Sequence, residues 1–202
     1  PKGTSAHYML SRWLHVLGLN ERDVNIVDMQ PSEAMKAFAD GQGDAIALWA
    51  PQTFEAEKLG LKTVAHSSDC NARQPILLVA NMDYANKHKG DIVAFLRVYL
   101  RSVDMMKKTP AEDLADDYMR FYNAWTGKTM TREEAIRDIK DHPVYALDQQ
   151  LDMFKQSYGT SELREWLHDI VSFQNETGEL DRRDLARLER LHYVTDIYLK
   201  AV

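Results

Sequence analysis

Gly3-Thr4-Ser5 stands directly before an apolar helical run, with His7 two residues further on. Thr4 and Ser5 carry hydroxyl oxygens that can accept from the free N–H groups of a first helical turn, which makes both good caps. Gly3 lets the backbone turn tightly and come close to another group. Free N–H groups, two hydroxyls and the positive end of a helix dipole together favour an anion such as a sulfonate, carboxylate, phosphate or nitrate. Such a turn binds and supplies no catalytic device. A plain helix cap would use the same residues, and most helices need one. His7 can turn an imidazole face toward a ligand or pack against its neighbours, and the sequence leaves both open.

A second group of residues could complete the site. Trp49 follows the apolar run Ala45-Ile46-Ala47-Leu48 at what reads as the carboxyl end of a strand, where ligands of open α/β sheets bind. An aromatic wall there can cover the apolar part of a small anion, and it can equally seal a core. Gln52 can offer an amide beside Pro51, or be a solvated side chain. Arg73, in a polar segment, has the bidentate geometry for an anion but also suits an ordinary surface loop. The histidines at 15, 66, 88, 142, 168 and 192 show no ligand spacing, so neither a metal site nor a cofactor is expected. The acidic pairs Glu112-Asp113, Asp116-Asp117 and Glu133-Glu134 sit beside basic residues and read as solvated helix faces. There is no phosphate loop, no dinucleotide fingerprint and no Ser-His-Asp set with family context.

The elements that must position these residues begin with a helix from Thr4–Ser5 to about Leu17, stopped by Gly18. Residues 23–29 read as a strand through Val24, Ile26 and Val27. Pro31 starts a helix that Gly41-Gln42-Gly43 ends, 44–49 reads as a buried strand, 51–59 as a helix and 62–65 as a strand. This alternation predicts a small parallel sheet. The polar segment 66–75 interrupts it before a further strand at 76–80. From Met82 onward the pattern turns helical. The run 90–107 carries Ile92, Phe95, Leu96, Tyr99, Leu100, Val103 and Met106 on a helical period. Pro110 opens another helix, and Thr131-Arg132-Glu133-Glu134 resembles a capping box. Helices are predicted over 148–158 and 161–173, and a last one over 185–199 with a break near His192.

The 202 residues suit one large domain or two small lobes, with 45% hydrophobic and 28% charged residues as in ordinary globular proteins. A net charge of −6 without a basic stripe argues against a nucleic-acid partner. Cys70 is the only cysteine, which excludes an intramolecular disulfide and leaves the compartment open. No apolar run is long enough to cross a bilayer, and no signal peptide is visible in these residues.

Lys2-Gly3-Thr4-Ser5-Ala6-His7, then Leu17-Gly18-Leu19 with Asp23-Val24, then Pro31 with Ala34 and Phe38, then Gly43-Asp44-Ala45 and Trp49-Ala50-Pro51 follow one another in fixed order. This order resembles the second lobe of the substrate-binding proteins of ABC transporters in the sulfonate, taurine and nitrate group. The resemblance implies an α/β, type II periplasmic-binding-protein fold, with an α/β ligand-binding lobe over 1–75. Residues 76–202 would supply a return strand and helices that complete the other lobe. It also implies a small anionic organic ligand, most naturally a sulfonate, held by Gly3, Thr4, Ser5, His7, Trp49, Gln52 and Arg73. An ABC transporter permease would be the partner, the location periplasmic or otherwise extracytoplasmic, and the role binding without catalysis.

In that family the glycine turn follows a first-lobe segment of the chain, so the sequence reads as the later part of a longer protein. Helices that have lost first-lobe partners would leave apolar stripes open to dimerisation or swapping. Ala50 and Gln52 flank Pro51 where an acidic and an aromatic residue are often seen, which bears on ligand identity. Three rival readings stay in view. One is a thiamine-pyrimidine-precursor synthase or binder of the same fold, although the synthase needs a cysteine-rich iron site and only Cys70 is present. The others are a ligand-sensing regulatory domain and a helical interaction module over 82–202.

Overall fold

A computed structural model describes residues 1–190 and 194–202. It divides into two compact units. The first holds residues 1–76 and 165–191, the second residues 77–164 and 192–202, of which 191–193 lie outside the described residues.

In the first unit, helix α1 (Ser5–Val16) begins after Thr4, an extended residue whose hydroxyl accepts from His7 N. It ends where Gly18, with φ of 75°, takes up the left-handed conformation. A 3-10 turn at Glu21–Asp23 is closed by a reciprocal Asn20/Asp23 capping box. Pro31 provides the first residue of α2 (Pro31–Ala39), and α3 (Gln52–Lys58) follows the cis Ala50–Pro51 bond. A 3-10 turn at Ser67–Cys70 then brings Cys70 and Ala72 into the core. Much later in the chain, α9 (Glu162–Glu176) returns to this unit from Glu165 onward. There Phe173 joins Tyr8, Cys70 and Ala72 in one buried cluster, with Met9, Trp13 and Ile170 against it. Helix α10 (Arg182–Arg190) closes the described part of the unit.

In the second unit, Asn81 caps α4 (Met82–Lys87), and α5 (Lys89–Lys108) buries Val93, Leu96, Leu100 and Val103. Leu96 and Leu100 form a core with Leu199, and Leu147, Leu151 and Phe154 of α8 (Leu147–Phe154) pack against it. Phe95 and Met106, placed on the buried stripe by the periodicity, are exposed, because the stripe that packs is narrower than the apolar one. Helices α6 (Ala111–Thr126) and α7 (Arg132–Asp141) form a hairpin. Its centre is Ala115, Ala135 and Met130, both alanines being 0% exposed. The Thr131/Glu134 capping box starts α7 as the sequence predicts.

The predicted parallel sheet is not found among the described residues. Residues 24–29, 44–49, 62–65 and 76–80 form no ladder. The sole strands among the described residues are β1 (Gln156–Ser157) and β2 (Thr160–Ser161), an antiparallel hairpin turned by Tyr158 and Gly159 at positive φ. Apolar alternation makes a segment fit to pair, but a strand exists only with a neighbour about 4.8 Å away. Here the runs lack one, and Ile76 and Val79 stay 92% and 91% exposed. The hairpin also shortens the helix predicted over 148–158, which ends at Phe154. The helix predicted over 185–199 is α10 up to Arg190 and a 3-10 turn at Leu199–Ala201. Its break near His192 falls outside the described residues.

Between α6 and α7, Tyr118 donates its hydroxyl to Asp138 Oδ2 at 2.5 Å. His142 Nδ1 lies 2.9 Å from the Asp138 carbonyl oxygen and 3.3 Å from Oδ1. Burial, and then the hydrogen bond to the Asp138 carboxylate, pushes the Tyr118 phenol well above its ordinary value. A phenol held protonated in the fold ionises more easily once unfolded. Its contribution is therefore complete below about pH 10 and is lost as pH rises beyond that toward the folded value. Thermal unfolding from pH 8.5 to 11 should show a fall in Tm that Tyr118→Phe flattens. An equal alkaline fall in the variant would remove Tyr118 as its cause.

Candidate functional site

The first turn of α1 is tied together by its own residues. Gly3, at φ of 69°, directs its N–H onto His7 Nδ1 at 3.1 Å. Thr4 Oγ1 donates to Pro1 O at 2.6 Å and accepts from His7 N at 3.4 Å. Because Nδ1 accepts, the ring proton of His7 is assigned to Nε2. That atom faces Glu21 Oε1 at 3.1 Å, close to the carboxylate but without the alignment of a hydrogen bond. His7 is only 5% exposed and meets Phe173 edge-on, with ring centroids 5.0 Å apart.

Of the two roles the sequence leaves open for His7, the packed one is what this geometry contains. The ring braces the turn from beneath, through Gly3 on one side and Glu21 on the other. What remains for a ligand is the first-turn N–H of Ser5 and its exposed hydroxyl, while Ala6 is buried.

Arg73 reaches the same neighbourhood through the chain. Gln74, next to it, donates Nε2 to Ser5 O at 3.0 Å. Arg73 itself donates Nε to Asn71 Oδ1 at 3.2 Å, and its guanidinium carbon lies 5.5 Å from the Trp166 ring centroid. That stacking holds the guanidinium in one orientation and leaves donors for a second partner.

Gly3, Thr4, Ser5 and His7 thus stand together, with Arg73 attached to them through Gln74. Trp49 and Gln52 do not join them. Trp49 is partly exposed, Gln52 opens α3 with its Oε1 buried, and among the described residues no hydrogen bond, ion pair or ring contact links either to α1. Glu21, Gln74, Trp166 and Phe173 are contributors that sequence reasoning missed. Only the Asn20-x-x-Asp23 capping pattern gave any sign of a built turn near Glu21. Among the described residues no group of three or more His, Cys, Asp or Glu could hold a metal ion. Cys70 is a free, buried thiol in the core of the unit.

A family profile described as "NMT1/THI5 like" matches residues 2–113, more than half of the chain and the whole of this turn. The chain belongs to the NMT1/THI5-like family. A Brachyspira hyodysenteriae protein provisionally named an ABC transporter periplasmic binding protein is 28% identical over 143 residues, covering 71% of this chain and 41% of that relative. A Bacillus subtilis protein provisionally named an aliphatic sulfonates-binding protein is 28% identical over 136 residues, 66% of this chain and 41% of its own length. A binding protein of Brucella abortus is 26% identical over 167 residues, 76% of this chain and 52% of its own. The chain spans about half the length of the curated relatives it matches, or less. No solved structure matches. Among the described residues no helix is long and apolar enough to cross a membrane.

Proposed function

We propose that the chain is part of a solute-binding protein that delivers a small organic anion, with a sulfonate as first choice, to the permease of an ABC importer outside the cytoplasm. The observation that carries this reading is the first turn of α1. Gly3, Thr4 and His7 satisfy one another there, so the turn is held in shape while Ser5, an exposed residue, keeps its first-turn N–H and hydroxyl for a ligand. Arg73, oriented on Trp166, supplies a cationic fork. The names of the relatives support the same reading of capture without turnover.

In the two-lobed arrangement proposed for the whole protein, with lobes from 1–75 and from 76–202, closure about a hinge would bring the second lobe over a ligand that Trp49 and Gln52 meet from the same lobe as the α1 turn. A thiamine-pyrimidine precursor is the alternative ligand, favoured by the family profile alone.

Thermal unfolding with taurine, alkanesulfonates, nitrate and an aminopyrimidine tests the proposal. A ligand at a hundred times its Kd adds about 2.7 kcal/mol, a Tm rise of roughly 5–10 °C for a chain of this size. One anion should produce it, and Thr4→Ala should reduce it while costing about 1 kcal/mol of stability as a lost cap. A rise with the aminopyrimidine and none with any anion would replace the sulfonate reading. No rise with any of them would refute binding by this chain.

A further inference from the structure

The end of α9 brings a carboxylate to the turn just described. Gly178, at φ of 80°, reverses the chain after the helix. Thr177 N donates to Phe173 O at 2.9 Å, and the N–H groups of Glu179 and Leu180 both donate to Gln174 O, at 2.8 and 3.0 Å. This closed turn fixes the direction in which Glu179 leaves the helix. Phe173, one turn earlier, lies edge-on to both His7 and Tyr8, with centroids 5.0 and 5.2 Å away, so the end of α9 is anchored to α1 itself. As a result the carboxyl carbon of Glu179 stands 3.1 Å, and its Oε2 3.3 Å, from the point that a Cβ on Gly3 would occupy. A Cβ there would press on the carboxyl group, which would have to give by a few tenths of an ångström.

The geometry points to Glu179 as a resident carboxylate of the α1 turn: it lies on Gly3 in the ligand-free chain and has to give way when an external anion binds. A carboxylate shares the charge of the ligand head group proposed above. Beside the first turn of a helix, negative charge is favoured. The same charge opposes a second anion brought to that turn, and at this separation salt screens the repulsion only partly. The displacement half of the inference rests on the anion-binding reading. The residence half rests on the contact with Gly3 alone.

The test compares wild type with Glu179→Gln and Glu179→Ala, using methanesulfonate as the probe. Without ligand, both variants should melt about 2 °C lower, and the amide signals of Gly3 and Ser5 should move in the nitrogen–proton correlation spectrum. Methanesulfonate should recover the lost stability and bind the variants about 2–5-fold more tightly than wild type. Unchanged melting and unmoved amide signals in both variants would overturn the inference. So would methanesulfonate binding equally well, or less well, to the variants. A lower ligand-free Tm with moved amides, and no response to methanesulfonate in any chain, would support residence of Glu179 while the anion-binding reading fails.

Discussion

Phe173→Ala should remove about 3–4 kcal/mol from the first unit, a fall in its melting temperature of about 10 °C. The ring is nearly buried and joins the cluster of Tyr8, Cys70 and Ala72 while touching the edges of His7 and Tyr8. Truncation leaves a cavity that α1 and α9 cannot close independently, because each carries other contacts of the same cluster. It also frees the His7 ring, which then holds Gly3 N–H less firmly, so any anion-induced stabilisation should shrink with it. Phe173→Leu keeps most of the volume and should cost about 1 kcal/mol. Denaturant unfolding followed by fluorescence suits the measurement, since Trp13 packs on the cluster. A loss below 1 kcal/mol in the alanine variant would mean that α9 does not anchor α1.

Gly3→Val should cost about 2 kcal/mol and abolish stabilisation by every anion tested. Two independent obstacles meet at this residue. Its φ of 69° is strained for any side chain and most for a β-branched one. A Cβ would also press on the Glu179 carboxyl group at 3.1 Å. Relief of the strain turns the Gly3 N–H away from His7 Nδ1 and unmakes the turn. The two causes separate in Gly3→Ala combined with Glu179→Ala, where the steric obstacle is gone and the backbone strain remains. That double variant should still bind anions worse than Glu179→Ala alone. Recovery to the level of Glu179→Ala would assign the whole effect to the side-chain contact.

What the sequence disclosed was whatever a few neighbouring residues determine. Thr4 as a cap, Gly18 as a stop, Pro31 as a helix start and the Thr131/Glu134 box all act within one turn of chain, and each stands where the residue types require. Gly3, Thr4, Ser5 and His7 stand together for the same reason, as members of a single turn. The runs at 24–29, 44–49, 62–65 and 76–80 carry the β-branched and alternating character of strands. Pairing, however, depends on a second segment that no local pattern specifies, and no ladder forms among them. Glu21 and Glu179 could not be read as neighbours of His7 and Gly3. Their approach depends on a 3-10 turn and on the docking of α9, both tertiary facts. Phe95 and Met106 mark the opposite error, in which a sound helical period overstates the width of the face that packs.

The first unit is assembled from two separate stretches of the sequence, residues 1–76 and 165–191. During synthesis earlier residues leave the ribosome before later ones, and domains ordinarily fold in that order. Here the order is interrupted. Tyr8, Met9, Trp13, Cys70 and Ala72 emerge together, yet they wait for Ile170 and Phe173, while residues 77–164 can already bury Ala115 against Ala135 and Met130. The α6–α7 hairpin is therefore placed to pack before the core around Phe173 closes, while the core of Leu96 and Leu100 waits in turn for Leu199. Through that interval the half-built core of the first unit stays open to chaperones, and its closure carries the slow kinetics of contacts between distant parts of a chain.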